Sequence, residues 1–153
     1  MKENIMIQKM QKKDIETLFN IALTSFQKDY DKYGVYPPLI NMKKKNFLPP
    51  IIFGKTIFLD NEIIGGAFVV GLGKKGEIGA IFIDPNHQNN GFGKQVMTLI
   101  EEHYPKVKKW KLETPAESIG LHNFYESLGY VKIGEMKDAK SGMIGFKYEK
   151  TIQ

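Results

Sequence analysis

The segment from Gln88 to Lys94 has the residue types and spacing best suited to chemistry. It reads Gln-Asn-Asn-Gly-Phe-Gly-Lys and lies between an apolar run at 78–83 and an amphipathic pattern that indicates a helix. A helix start presents unpaired backbone N–H groups and the positive end of the helix dipole, and glycines there let a phosphate approach closely. The segment therefore predicts an anion-binding loop, best suited to a pyrophosphate, with an ordinary polar helix start as the alternative.

Two other nucleotide-binding motifs are excluded by the residues in or next to them. Residues 71–76 match Gly-x-Gly-x-x-Gly, but the next residues indicate a strand, whereas a dinucleotide fingerprint must open a helix. This segment therefore predicts a hairpin turn. A Walker A loop that ends at Gly93-Lys94 would need glycine at 88 and serine or threonine at 95, and the chain has Gln88 and Gln95 there.

Apolar periodicity predicts the elements that position the loop. Strands are expected near 5–10, 55–59, 63–70, 77–83, 109–114, 130–135 and 143–149. Helices are expected near 15–26, 38–46, 91–103 and 119–128, with a loop at 29–38 and Gly129 ending the last helix. The order predicts an α+β fold in one domain, 1–153, with a mixed, mostly antiparallel central sheet of about seven strands flanked by about four helices.

Composition excludes several classes of site. The 153 residues include no cysteine, which rules out disulfides, a cysteine nucleophile and cysteine-ligated metals, and the histidines at 87, 103 and 122 show no paired metal spacing. We expect no metal. No apolar run approaches the ~20 residues of a membrane span and no signal peptide is visible, so we expect a cytoplasmic protein that does not contact a membrane. The net charge is +5, but the lysines are scattered without interleaved aromatics, which argues against nucleic-acid binding.

Two motifs together resemble a known family. Gln-x-x-Gly-x-Gly at 88–93, after a strand that ends in Asp84-Pro85, resembles the acetyl-CoA signature of the GNAT N-acetyltransferase superfamily. The segment 124–130, Phe-Tyr-Glu-Ser-Leu-Gly-Tyr, is similar to that family's later helix and turn. The resemblance is sharp over 77–135 and rests on element order elsewhere. It implies a GNAT-like acyl-CoA N-acyltransferase fold with acetyl-CoA as the acyl-donor cosubstrate.

The resemblance also implies where the donor binds. Backbone N–H groups of 89–94 would hold the pyrophosphate, and the strand at 81–83 would run beside the pantetheine arm where it separates from the next strand. The chain departs from the family pattern, which often has asparagine seven and alanine four positions before the later tyrosine, at Ser118 and Leu121. The implied cofactor-binding residues are Ile81, Phe82, Ile83, Gln88, Asn89, Asn90, Gly91, Phe92, Gly93, Lys94, Ser118 and Asn123.

The implied catalytic residues are Tyr125 and Glu77. In similar enzymes the hydroxyl at the position of Tyr125 lies near the thioester sulfur, where it protonates or hydrogen-bonds the leaving thiolate. Glu77, eleven residues before Gln88, is the favoured base, and Glu113 is the second candidate. The alternatives are a core-edge aromatic for Tyr125 and a solvated hairpin residue for Glu77.

The implied reaction is direct attack on acetyl-CoA by a primary amine of a small molecule or peptide in a ternary complex. The absence of cysteine fits a route without an acyl-cysteine intermediate. Residues 29–37 would help shape the acceptor pocket, with Asp29 and Asp31 attracting a cationic amine, or they form an ordinary surface loop. A non-catalytic acyl-CoA-binding sensor on the same scaffold is the rival, and the sequence leaves monomer and homodimer open.

Overall fold

Seven segments with continuous or alternating apolar residues form strands that pair into one sheet in the computed structural model of the chain, which describes residues 4–33, 51–88, 91–139 and 142–153. The strands are β1 (Ile5–Lys9), β2 (Gly54–Leu59), β3 (Glu62–Leu72), β4 (Lys75–Ile83), β5 (Lys109–Pro115), β6 (Val131–Lys137) and β7 (Ile144–Thr151). They are ordered β1-β2-β3-β4-β5-β7-β6. Only β4 and β5 pair in parallel, and the other neighbours are antiparallel.

Three α-helices occur in the described residues: α1 (Ile15–Tyr33), α2 (Phe92–His103) and α3 (Ile119–Ser127). The predicted α+β class, with a mostly antiparallel sheet of seven strands, is confirmed. The fourth predicted helix, at 38–46, lies outside the described residues. The Gly-x-Gly-x-x-Gly segment forms the β3–β4 hairpin turn, as its context predicts.

The first helix is longer than the sequence pattern predicts. We placed a loop at 29–38, but α1 continues to Tyr33, so the assignment of 29–33 to a loop was wrong. Residues 27–33 contain neither glycine nor proline, and Gln27 donates a hydrogen bond to Asp31 one turn later at 2.9 Å, which supports the helix. The remainder of the predicted loop lies outside the described residues.

The helices pack on opposite faces of the sheet. A large cluster packs α2 and α3 against the sheet and includes Val96, Ile100 and the fully buried Trp110. A smaller cluster joins α1 to the other face through Leu18 and Phe82. Each helix therefore buries the apolar stripe that its sequence pattern predicts.

A β-bulge in β4 decides which side chains face which helix. Phe68 of β3 pairs with Ala80 and Val69 pairs with Ile78, so Gly79 has no partner. One extra residue reverses the facing of every later side chain in the strand. Ile78 accordingly belongs to the cluster under α2 and α3, whereas Phe82, four residues later, packs under α1.

The bulge coincides with the separation of β4 from β5. Their ladder runs from the Lys75–Lys109 pair to the Ile78–Leu112 pair and stops there. Beyond it the strands diverge, which leaves one edge of residues 79–83 without a partner strand. The predicted separation of these two strands is therefore confirmed.

Candidate active site

The separation of β4 and β5 opens a cleft of about 690 Å³. Its walls are residues 78–83 of β4, the loop and helix start at 87, 88, 91, 93 and 94, and the end of β5 at 112–115. Ser25 and Phe26 of α1 contribute from one face of the sheet, and Leu121, Phe124 and Tyr125 of α3 contribute from the other. The cleft therefore extends through the sheet and is reached by elements on both faces.

The start of α2 presents free donors to this cleft. Gly91 precedes the helix in the left-handed conformation, with φ of 78°, and no side chain of the described residues caps the helix. The bond from the Gln95 N–H to the Gly91 carbonyl, at 3.3 Å, begins the helical ladder. The N–H groups of residues 92–94 consequently have no partner within the helix, which makes this end suited to an anion. Asn89 and Asn90 lie outside the described residues.

The Gln88 side chain ties this loop to both β4 and α1. Its Nε2 donates to the Ile83 carbonyl at 2.9 Å and lies 3.5 Å from Ser25 Oγ, while its Oε1 accepts from Lys28 Nζ at 2.8 Å. The amide of Gln88 is thus engaged by the protein, and it holds the Lys28 ammonium beside the loop. Sequence reasoning missed Lys28 because a lysine on an exposed helical face belongs to no motif.

Tyr125 lies on the buried face of α3 and lines the cleft, with 5% of its surface exposed. Its ring packs edge-on against Phe124 and at a tilt against Tyr130, with centroid distances of 5.2 and 5.8 Å. Gly129 follows the helix with φ of 97°, and the Tyr130 N–H donates back to the Tyr125 carbonyl at 3.1 Å. This predicted glycine stop fixes the end of the helix that carries Tyr125.

Two more tyrosines are buried in the core that supports α3. Burial, followed by the nearby Glu101 carboxylate and Tyr125, raises the pKa of the Tyr130 phenol, whose oxygen has no hydrogen-bond partner among the described residues. Burial also raises the pKa of Tyr148, whose hydroxyl donates to Glu126 at 3.1 Å. Both phenols are therefore held in the neutral form.

The two candidate carboxylates occupy different places. Glu113 lines the cleft at the end of β5, whereas Glu77 lies on β4 before the bulge and does not line it. Both residues are exposed, and neither side chain forms an ion pair or hydrogen bond with the described residues. The structure therefore brings Glu113, and not Glu77, to the wall of the cleft.

The turn between β5 and α3 places further polar groups. Ser118, at the start of α3, is 2% exposed and lines the cleft, whereas Asn123 is exposed and does not line it. Nε2 of His122 lies 2.8 Å from the Pro115 carbonyl, and its ring stacks on Phe146 at 4.8 Å, which fixes the turn.

Thr114 is a cleft residue that sequence reasoning missed. It is 3% exposed, and its hydroxyl oxygen is shielded from solvent and has no hydrogen-bond partner in the described part of the chain. A threonine at a buried strand position resembles an ordinary β-branched residue, so its missing partner becomes visible only in the folded structure.

The predicted acceptor region is described only in part. Asp31 is exposed on α1 and accepts the bond from Gln27, and the side chain of Asp29 and residues 34–37 lie outside the description. Within the described ranges, no group of three or more histidine, aspartate or glutamate side chains could hold a metal ion. None of the described helices is both long and apolar enough to cross a membrane.

Comparisons with known proteins agree with this geometry. Residues 15–130 match the sequence model of the acetyltransferase (GNAT) family. Among solved structures, PaiA N-acetyltransferase from Thermoplasma acidophilum, in complex with coenzyme A, is 22% identical, with a TM-score of 0.76 over 97% of this chain and 99% of that one. The ribosomal-protein-S18-alanine N-acetyltransferase of Escherichia coli is 15% identical, with a TM-score of 0.75 over 98% and 95%.

A third similar structure is a spermidine N-acetyltransferase chimera of Vibrio cholerae SpeG and hSSAT. It is 13% identical, with a TM-score of 0.76 over 96% of this chain and 95% of that one. No curated protein matches the chain by sequence. At these identities the structural likenesses describe the fold alone.

Proposed function

The chain belongs to the acetyltransferase (GNAT) family, and we propose that it transfers the acetyl group of acetyl-CoA to a primary amine by direct attack in a ternary complex. One observation carries the proposal. The uncapped start of α2 and the unpaired edge of β4 line the same cleft. A diphosphate and an extended amide-containing arm are the two parts of coenzyme A that these features suit.

The donor would be held mainly by backbone groups. The N–H groups of 92–94, together with the loop that precedes them, suit the pyrophosphate, and the ammonium groups of Lys94 and Lys28 add positive charge at that end. The free edge at 79–83 suits a pantetheine arm that pairs like an added strand. Gln88 would act by holding the loop rather than by binding phosphate, because its amide is already engaged.

Tyr125 is the proposed group at the leaving thiolate. It lies on the cleft wall opposite β4, and its buried setting excludes water from competing for the sulfur. Proton transfer from a phenol of ordinary pKa near 10 to a thiolate whose conjugate thiol has a pKa near 8.5 is uphill by only about 2 kcal/mol. A hydrogen bond to the sulfur would therefore be sufficient for its role.

A base must remove a proton from the incoming ammonium, since only the neutral amine has a lone pair. The position of Glu113 in the cleft favours this carboxylate for direct contact. Glu77, which the sequence favours, is the alternative and would act through water from the neighbouring part of β4. Replacing each residue in turn with glutamine distinguishes the two candidates.

The acceptor is proposed only as a class. Two similar structures are named for acetylation of spermidine and of an alanine of ribosomal protein S18, so the fold serves both polyamines and proteins. Glu113 is the one carboxylate among the described residues of the cleft wall, and it suits an acceptor that arrives as a cation.

The test combines binding with turnover. We expect calorimetry to show saturable binding of coenzyme A, and a thiol-release assay with acetyl-CoA to show turnover on at least one member of an amine panel. The panel should include spermidine, a peptide with N-terminal alanine and a lysine-containing peptide blocked at its N-terminus. A folded protein that does not bind coenzyme A would refute the proposal, and tight binding without turnover on any amine would favour an acyl-CoA sensor.

A further inference from the structure

Thr114 is a buried hydroxyl residue in the cleft wall that the reaction as described leaves without a role. Its oxygen is shielded from solvent and has no hydrogen-bond partner among the described residues. An unsatisfied buried hydroxyl destabilises the folded state, because the group loses its hydrogen bonds to water and gains none in the protein. A protein that keeps one beside an open cleft retains a group that a ligand can satisfy.

The position of Thr114 along β5 identifies the part of the cleft that it faces. Leu112 is the last β5 residue paired with β4, and Thr114 follows two residues later, just inside the separation of the strands. Alternation along β5 places Thr114 on the same face as Leu112, which belongs to the core cluster that also contains Tyr125. The diphosphate-binding start of α2 lies beyond the far end of β4, so Thr114 is at the opposite, reactive end.

We propose that the Thr114 hydroxyl binds the acylated end of the donor by donating a hydrogen bond to a carbonyl oxygen of the acyl-pantetheine arm. The inference rests on the proposed acetyl-CoA site. Rotation about one side-chain bond of threonine exchanges the positions of the hydroxyl and the methyl group. The Thr114 hydroxyl can therefore reach the cleft without backbone movement. Bound acetyl-CoA then gives the unsatisfied Thr114 hydroxyl a hydrogen-bond partner, so the affinity for acetyl-CoA depends on this one oxygen atom.

Thr56 provides a matched control within the same chain. It is a β-strand threonine and is fully buried, and its hydroxyl also has no hydrogen-bond partner within the described ranges, but it lies on β2 and does not line the cleft. Valine has nearly the shape of threonine and lacks the hydroxyl. Thr114→Val and Thr56→Val therefore remove equivalent groups, of which only one belongs to a residue that lines the cleft.

The experiment measures ligand affinity by calorimetry and stability by urea denaturation for wild type, Thr114→Val, Thr114→Ser and Thr56→Val. The ligands are acetyl-CoA and adenosine 3′,5′-bisphosphate, which lacks the pantetheine arm. We expect Thr114→Val to weaken acetyl-CoA binding by about threefold to tenfold, the factor of one neutral hydrogen bond, and to leave bisphosphate binding unchanged. Thr114→Ser should bind acetyl-CoA like wild type, and both valine variants should be at least as stable as wild type.

Three results would overturn the inference. One is a Thr114→Val variant that binds acetyl-CoA as tightly as wild type, and another is one that loses affinity for both ligands equally. The third is a Thr56→Val variant with the same loss. If any of these results occurs while the wild-type protein still binds acetyl-CoA, the proposed function stands and only the Thr114 inference fails. Folded wild type that binds neither ligand refutes both the proposed function and the Thr114 inference.

Discussion

Ile78 and Phe82 are four residues apart on one strand, yet they pack on opposite faces of the sheet. In a regular strand residues i and i+4 share a face. The unpaired Gly79 between them supplies the extra residue that reverses the alternation. The same residue marks the point at which β4 separates from β5. One irregularity therefore coincides with the opening of the cleft and reverses which β4 side chains face each side of the sheet.

Glycines near this irregularity should differ sharply in their tolerance of a side chain. A Cβ at Gly65 would run into the backbone carbonyl of Phe82, whereas a Cβ at Gly79 would meet its nearest neighbour, the Phe68 carbonyl, at an ordinary 3.7 Å. We expect Gly65→Ala to lower the free energy of unfolding by about 3 kcal/mol and Gly79→Ala to change it by less than about 1 kcal/mol. Urea denaturation of both variants measures the difference. Equal losses in the free energy of unfolding would contradict the inference that close packing of Gly65 against the Phe82 carbonyl excludes a side chain.

Tyr125 and Tyr130 form a second matched pair. Their rings are 5.8 Å apart, but only Tyr125 lines the cleft. If Tyr125 assists the leaving thiolate, Tyr125→Phe should lower kcat by up to about 10²-fold, and Tyr130→Phe should leave kcat within about twofold of wild type. Steady-state kinetics with a saturating amine provide the measurement. A Tyr125→Phe variant with wild-type kcat would assign that ring to packing.

Glutamine variants distinguish the catalytic contributions of Glu113 and Glu77. Because Glu113 lines the cleft and Glu77 does not, we expect Glu113→Gln to lower kcat/KM for the amine by about 10²-fold and Glu77→Gln to lower it by less than about threefold. Coenzyme A affinity, measured by calorimetry, should stay at the wild-type value in both variants. The reverse order of effects would identify Glu77 as the base, as the sequence pattern favours.

Alkaline pH should destabilise the protein through Tyr130. Burial raises the pKa of this phenol above its ordinary value of 10.0, so the folded state holds the proton more tightly than the unfolded state. The stabilisation is fully present below about pH 10 and is lost as the pH rises from there towards the folded-state pKa, with a slope of at most about 1.4 kcal/mol per pH unit.

The comparison is between wild type and Tyr130→Phe, unfolded by urea at about pH 8 and about pH 11. The variant lacks the titrating group, so its free energy of unfolding should fall less over this interval. At about pH 8 it should be at least as stable as wild type, because the hydroxyl that it removes has no hydrogen-bond partner among the residues that the structure describes. Identical pH dependence in the two proteins would exclude Tyr130 as the titrating group.

Features that depend on residues close together in the sequence were predictable from the sequence alone. The glycines at 91 and 93 mark a helix start, Gly129 marks a helix end, and continuous or alternating apolar runs mark the seven strands. Each signal comes from local backbone preference or from side-chain periodicity, which a short window of residues contains. The end of α1 was misplaced because tyrosines and prolines at 30–38 suggested a loop, whereas helix propensity continued to Tyr33.

The chain by itself determined the family motifs, the order of the elements and the position of the loop that we propose binds an anion. Only the tertiary structure decided that Glu113 rather than Glu77 borders the cleft, that the Gln88 amide is engaged by Ile83 and Lys28, and that the Thr114 hydroxyl lacks a partner among the described residues. These outcomes depend on how distant strands pair. A single unpaired residue reverses which side chains face the cleft, and no local pattern encodes it.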